Sequence, residues 1–389
     1  MKTQLVIFGI TGDLSHRKLL PALDAIISTG DYNDLSIVGV SRRAVDVSEL
    51  LKNHKSLVPK TSVFTMDLAS LEDYHALKRH LDLAKADQTL FYLSVPPGAS
   101  AGIVDFLGEA GLNTPTSKVL FEKPFGYDLE SAKEFIERTA RYFKEEQLYR
   151  IDHYMAKEVS MELLRLRKNA ENHHYHWDNR SIKEVRVVAT ESIGIEGRAQ
   201  FYEQTGALRD FIQGHLMQLL SLVLITKPGS QALPAERLAA LRYIQPASPE
   251  LAVRGQYKGY QAEVENPGSQ VETFAALELE SADPKWEGVP LRLITGKALR
   301  EKRSYVQIEY SDGRTDTFEE GHGEPGPGKP LDAYERVLLE AIASNDDIFT
   351  TSDEVLRSWE IVAPVQRAWS MDTTDLELYA PGIDPLASI

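Results

Sequence analysis

The opening of the chain limits its possible folds more than any other stretch. Leu5 to Phe8 is a compact apolar run, Gly9, Ile10, Thr11, Gly12 and Asp13 follow it, and a helix-like segment runs from Ser15 to Ser28. Strand, glycine turn and helix in that order make a phosphate-binding unit. The glycines let backbone approach a pyrophosphate closely, and the helix N-terminus offers amide donors and a favourable dipole. Gly9 and Gly12 form a shorter fingerprint than Gly-x-Gly-x-x-Gly, so the segments that follow must decide the reading.

Those segments continue a parallel sheet. Leu35 to Val40 is a second apolar strand, ending in Ser41, Arg42 and Arg43, where a fold that prefers NAD commonly carries an acid. A guanidinium there grips a 2′-phosphate through paired donors, so NADP is the expected cofactor and NAD the alternative. Strand-like runs at Thr89 to Val95 and Ser117 to Phe121 extend the sheet. Pro96 and Pro97 close one of them at the carboxyl edge, where open α/β sheets bind ligands. Lys123, in the turn Glu122 to Gly126, would face the same crevice.

A chain of 389 residues exceeds one ordinary core, and two domains are expected, 1–150 and 151–389. Past Asp178 the pattern changes. Ile182 to Thr190, Val271 to Leu279, Leu291 to Thr295 and Tyr305 to Tyr310 read as strands, several alternating in polarity, which suggests an antiparallel sheet. The predicted fold is therefore an α/β Rossmann-type dinucleotide-binding domain followed by an α+β domain with a large, mainly antiparallel sheet. No apolar run approaches the roughly 20 residues that span a bilayer, so no membrane segment is expected. Met1 to Thr11 reads as a buried first strand rather than a signal peptide. The absence of cysteine excludes disulfides and thiolate sites and fits a reducing compartment, with the cytoplasm as default. A net charge of −15 argues against nucleic acid as a partner, while a local basic cluster still suits a small anion.

Proton and phosphate chemistry concentrate in Arg150 to Glu158, which sets Asp152, His153, Tyr154 and Lys157 within a few residues of one another. A second candidate, His215, lies in Gly206 to Ile225, where Leu208, Phe211, His215, Leu219 and Leu222 recur at helical spacing. A buried imidazole needs a hydrogen-bond partner. A carboxylate on one ring nitrogen fixes the tautomer and leaves the other as a base, and Asp152 is the expected partner. Gly214 precedes it, at a propensity cost of about 1 kcal/mol relative to alanine. His173, His174 and His176 cannot all face one ion from adjacent helical positions, so no metal site is expected. Gly321 to Pro330, crowded with glycine and proline, reads as a loop, Leu331 to Ala343 and Ser352 to Trp369 as helices, and Ala380 to Ile389 as a tail.

Taken together, the segments GITGDLSHRKLLPAL, LFYLSVPP, FEKPFG, RIDHYMAKE, EGRAQFYEQTGALRDFIQGHLMQ, VRGQY, VETFAAL, KWEGVP, TGKAL and SWEIVAPV resemble the glucose-6-phosphate dehydrogenase family, in family order. The resemblance implies NADP-dependent oxidation of glucose 6-phosphate, with His215 as general base and Asp152 paired with it. It implies that His153, Tyr154 and Lys157 hold the sugar phosphate, and that Lys123, Glu191, Asp210 and Lys297 contact the sugar or its phosphate. For the cofactor it assigns Gly9, Thr11, Gly12, Asp13 and Leu14 to the glycine turn and Arg42 to the 2′-phosphate. Tyr92, Pro96 and Lys123 fall at the nicotinamide edge. Four positions depart from the family pattern. Met155 and Ala156 are mild changes, whereas Gly214 stands for an asparagine and Ile294 for an arginine, each removing a polar group near the expected pocket. Such losses weaken discrimination among substrates, so the same chemistry on another sugar 6-phosphate, or a non-catalytic ligand-sensing relative, are the alternatives. The chain is also shorter than typical members, chiefly between Val45 and Gln88 and between Tyr310 and Leu331. Subunit pairing in the family uses the large sheet, and a homo-oligomer, a dimer, is the form the resemblance implies for a member.

Overall fold

The computed structural model describes residues 1–81, 83, 85–168, 177–226, 228–320, 331–372, 374 and 376–383. The histidines at 173, 174 and 176, the loop expected at 321–330 and the end of the expected tail lie outside these residues. The chain forms two compact units. The first comprises Met1–Gly126, Lys133–Ala156 and Leu331–Ser352, the second Tyr127–Ala132, Lys157–Pro330 and Asp353–Ile389. Strands β1 (Thr3–Phe8), β2 (Leu35–Ser41), β3 (Thr61–Thr65), β4 (Gln88–Leu93), β5 (Ser117–Glu122) and β6 (Leu148–Ile151) belong to the first unit. To the second belong β7 (Ile182–Thr190), β8 (Ala252–Tyr257), β9 (Phe274–Leu279), β10 (Leu291–Gly296), β11 (Arg303–Tyr310) and β12 (Thr315–Glu319). After these, β13 (Phe349–Thr350) returns to the first unit and β14 (Glu377–Tyr379) to the second.

In the first unit the order is β13-β6-β5-β4-β1-β2-β3. Every neighbouring pair is parallel except β13 with β6. β4 is buried at every position and β1 nearly so, which is why their sequences read as continuous apolar runs rather than alternating ones. The expected strand at Thr89 to Val95 ends at Leu93, because Pro97 starts the next helix, Pro97–Glu109, with Pro96 at its N-cap. The late segment Leu331–Ser352 completes this unit. It supplies helix Ala333–Ala343, capped by Asp332, whose carboxylate accepts the Tyr334 N–H at 2.9 Å. Gln88 at the start of β4 donates to the carbonyl of Ile342 at 2.7 Å, and the rings of Tyr149 and Phe349 stack at 4.3 Å.

The second unit is built on the sheet β12-β11-β7-β10-β9-β8-β14. Four of its pairs are antiparallel, while β10 with β7 and β14 with β8 are parallel, so the mainly antiparallel sheet expected from sequence is present. The helix expected from Gly206 starts later and winds differently. Gly206 itself has φ 60° and ψ 179°, outside the helical region, and residues Leu208–Leu216 form a π-helix before α-winding resumes over Met217–Leu224. Apolar side chains at 208, 212, 216 and 219 suit either winding, so periodicity alone does not distinguish them. Among the described residues no helix is long and apolar enough to cross a membrane.

Candidate functional site

In the first unit the glycine turn is formed as the sequence requires. Gly9 has φ 81°, and a Cβ there would fall 2.2 Å from the Ser94 carbonyl oxygen, so only glycine fits. Gly12 N–H donates to the Gly9 carbonyl at 2.8 Å, and the Ser15 hydroxyl donates to Gly9 O at 2.9 Å and to Ser94 Oγ at 3.0 Å. These bonds tie the turn to the segment after β4, beside the point where the strand order reverses about β1. No side chain caps the helix that begins at Ser15, which leaves its N-terminal end suited to a phosphate and fits a dinucleotide. Thr11 and Asp13 are exposed and Leu14 is half-buried on this turn, with Asp13 3.3 Å from Arg17. Arg42 is exposed directly after β2. Tyr92 is fully buried in β4, Pro96 caps the following helix, and Lys123 is half-buried just past β5, joined to Pro124 by a cis bond.

Asp152 follows β6 and is 2% exposed. Its Oδ1 accepts the Tyr154 N–H at 3.0 Å, and its carbonyl accepts the Met155 N–H at 2.9 Å, which turns the chain into the short helix His153–Ala156. Met155 and Ala156 are buried packing residues. The His153 ring meets Tyr154 edge-on at 5.1 Å and lies nearly parallel to Tyr334 at 6.2 Å. Two members of this cluster carried no role in the sequence reading. Tyr334 arrives from the late helix, and nothing in the spacing of residues 150–158 points to it. Lys18 Nζ stands 5.8 Å from its ring, and burial, with the charges of Glu122, Asp332 and Asp152, pushes its phenol well above the ordinary range. Glu122 ends β5 and accepts a short hydrogen bond from the Tyr92 hydroxyl. A carboxylate beside the FEKPFG turn was visible in sequence, but its burial was not.

Burial raises the Glu122 carboxyl to about 7 from 4.5, with the charge of Asp152 adding and the Tyr92 hydrogen bond opposing. A carboxyl raised in the folded state holds a proton that the unfolded chain has released. Its contribution to stability is therefore complete below about pH 4.5 and is lost as pH rises through about 7. Glu122→Gln is expected to flatten this part of the pH dependence of the thermal midpoint, measured between about pH 5 and about pH 8. Parallel curves for the two proteins would reject the assignment.

The second unit gathers a separate group. Because β7 and β10 run parallel with Thr190 opposite Gly296, the residues that follow, Glu191 and Lys297, leave the sheet at the same end. Their side chains form an ion pair, and the Glu191 N–H donates to the Gly296 carbonyl at 2.9 Å. Lys297 is 2% exposed, with its ammonium 5.2 Å from the Tyr202 ring centroid and 5.6 Å from that of Phe211. Aromatic faces and one carboxylate thus offset its desolvation. Tyr202, fully buried, is a wall of this site that the sequence reading did not assign. Asp210 is half-buried and His215 nearly buried on the π-helix, where the His215 ring packs edge-on against Phe211 at 5.5 Å. With α-winding, residues five apart would point about 140° apart. The wider π turn brings positions 210 and 215 toward one face, and π-bulges of this kind recur at functional sites. Lys157 Nζ pairs with Glu320 at 3.0 Å. Gly214 is half-buried on the same helix.

Ile294, which stands for an arginine of the family pattern three residues before Lys297, is a packing residue. It is 2% exposed in an apolar cluster with Val188, Phe274, Ala276, Leu299 and Tyr305, because its strand position directs it into the packed face of the sheet. Asp152 belongs to the first unit and His215 to the second, so their pairing is a matter for the functional proposal.

A parallel sheet with a glycine turn, joined in one chain to a mixed-sheet unit bearing a buried histidine, defines a two-unit NAD(P)-linked dehydrogenase. The chain belongs to the glucose-6-phosphate dehydrogenase family: residues 6–161 match the family's NAD binding domain, and residues 164–327 and 325–385 its C-terminal domain. It is 30% identical over 456 residues to the glucose-6-phosphate 1-dehydrogenase of Rhizobium meliloti, covering 97% of this chain and 93% of that protein. Identity to the enzyme of the same name from Dickeya dadantii is 31% over 467 residues, covering 99% and 95%. Among solved structures it is similar to a glucose-6-phosphate dehydrogenase in complex with its substrate glucose-6-phosphate, with a TM-score of 0.90 and 27% identity over 100% of this chain and 96% of that one.

Proposed function

We propose that the protein oxidises glucose 6-phosphate at its anomeric carbon, with NADP as acceptor, and releases 6-phospho-glucono-lactone. The observation that carries this reading is the buried cluster of the second unit, where an imidazole, two carboxylates and an ammonium share a site walled by aromatic rings. That combination suits a polyhydroxylated sugar. Carboxylates of Glu191 and Asp210 accept from hydroxyl groups, Lys297 and Lys123 donate, and Phe211 keeps water from the imidazole.

In this mechanism one ring nitrogen of His215 takes the proton from the anomeric hydroxyl, while the Asp152 carboxylate accepts from the other and fixes the tautomer. When bound, NADP accepts the hydride from the same carbon. His153, Tyr154 and Lys157 hold the phosphate dianion, and Lys157 exchanges the Glu320 carboxylate for it. Gly9, Thr11, Gly12, Asp13 and Leu14 receive the pyrophosphate, Arg42 the 2′-phosphate, and Tyr92, Pro96 and Lys123 border the nicotinamide. Arg42 is the physical reason for preferring NADP over NAD.

The test is reduction of NADP and of NAD by purified protein with glucose 6-phosphate, followed at 340 nm, beside a panel of other sugar 6-phosphates. Turnover of another sugar phosphate with none of glucose 6-phosphate would move the substrate assignment, and Gly214 would be the first position to restore to asparagine. Lys157→Ala is expected to raise the KM for glucose 6-phosphate at least about tenfold, the loss of one charge-assisted contact. An unchanged KM would remove Lys157 from the phosphate site.

A further inference from the structure

The expected strand from Val271 begins only at Phe274; Thr273 still donates its N–H to the Gly255 carbonyl of β8 at 2.8 Å, whereas Glu272 turns to the helix that carries His215. Glu272 is 7% exposed and Thr273 fully buried. The Glu272 carbonyl accepts the Ala207 N–H at 2.9 Å, and its Oε1 accepts the Leu208 N–H, also at 2.9 Å. Both amides open the π-helix that carries Asp210 and His215. Ala207, at the N-cap, has no side chain to cap it, and the end is too buried for water, so the donors need an acceptor from outside the helix. The carboxyl lies where a side chain on residue 206 would begin. A Cβ on Gly206 would fall 2.4 Å from Glu272 Oε1. Burial pushes the Glu272 carboxyl up, while the Leu208 N–H, Arg209 and Arg254 favour its charge.

Thr273 reaches the other half of the cluster. Its carbonyl accepts the Lys297 N–H at 2.9 Å, and its Oγ1 shares a hydrogen bond with Tyr379 Oη at 2.8 Å. Tyr379 in turn donates to the Lys297 carbonyl at 2.7 Å. Two consecutive residues therefore tie the start of the His215 helix and the backbone of Lys297 to one point of the sheet.

We propose that Glu272 is a positioning residue for the reaction, acting with Thr273 as a clamp that sets Asp210 and His215 at a fixed spacing from Lys297. This rests on the functional reading above and deepens it. Misplacement of reacting groups by about 1 Å lowers rates about 100-fold, so a cap that fixes helix register governs turnover without touching substrate. Glutamine retains an acceptor for Leu208, whereas alanine removes it.

The experiment compares the full-length protein with its Glu272→Ala and Glu272→Gln variants by hydrogen exchange across residues 208–216 and by steady-state kinetics. Expected for Glu272→Ala are faster exchange in that segment and a kcat lower by about 100-fold, with the KM for NADP changed by less than about twofold, and recovery of both readouts in Glu272→Gln. A purely structural residue would lower stability and leave kcat of the folded protein alone. Folded Glu272→Ala with wild-type exchange or wild-type kcat overturns the proposal. Should that variant not fold, Glu272→Asp, which withdraws the carboxylate from Leu208, is read the same way, and unchanged exchange overturns it. Wild-type protein inactive on glucose 6-phosphate would refute the substrate reading, while the exchange comparison would still decide the clamp.

Discussion

His215→Ala is expected to lower kcat on glucose 6-phosphate by at least about 100-fold, the usual scale of a general base. The imidazole is 6% exposed, so water has little access to replace it. In the proposed mechanism the phosphate and sugar contacts are assigned to other residues, so KM should change far less than kcat, the pattern of a group needed in the transition state. Binding of NADP, which depends on the first unit, should persist. Wild-type turnover in a folded His215→Ala protein would remove the base from this position and with it the proposed chemistry.

Glu354→Ala is expected to destabilise the second unit by about 3–5 kcal/mol, the cost of leaving a buried charge without its partner. Arg237 on helix Leu233–Tyr243 and Glu354 in the first turn of helix Ser352–Met371 are both 0% exposed. Arg237 Nε lies 2.7 Å from one carboxylate oxygen and Nη2 3.2 Å from the other, a forked geometry that holds the two helices in register. Removing the carboxylate takes its forked acceptor from a guanidinium that is 0% exposed. Replacing both residues by apolar ones of similar volume should cost far less. Urea unfolding of the single and double variants measures the difference, and a loss below about 1 kcal/mol in Glu354→Ala would show the pair to be hydrated.

Sequence patterns found the strands that obey one simple rule. Ile182–Thr190 has the limits expected from sequence, and Leu291–Gly296 runs one residue past its expected end, because both are rich in β-branched and apolar residues interrupted by only a few charged positions. β6 escaped notice because Arg150 sits in it at 0% exposure, paired with Glu145 at 2.9 Å. A fully buried arginine contradicts the polarity on which strand reading depends. β13, with two residues, is too short to show a period. Candidate residues were legible where they lie close in sequence and combine chemistry-bearing types, as Asp152, His153 and Lys157 do. Tyr202, Glu272 and Tyr334 were not, since burial and tertiary partners give them their roles. The π-winding was hidden because the apolar positions of that helix fit two periods equally well.

The strand Phe349–Thr350 has a consequence for how the protein is made. It pairs with β6, from which it is separated by nearly two hundred residues, and helix Ala333–Ala343 covers part of the same unit. A ribosome delivers residues in order, at about 5–20 per second. The cofactor-binding unit is thus the first to emerge but stays incomplete until late: its sheet keeps an open edge at β6 until position 350 is free of the exit tunnel. Through that interval the nascent chain carries an unpaired strand, the kind of surface to which chaperones and neighbouring chains adhere. A fragment stopped at residue 156 would keep that edge permanently, so the dinucleotide-binding unit is completed only by a segment encoded nearly two hundred residues beyond β6.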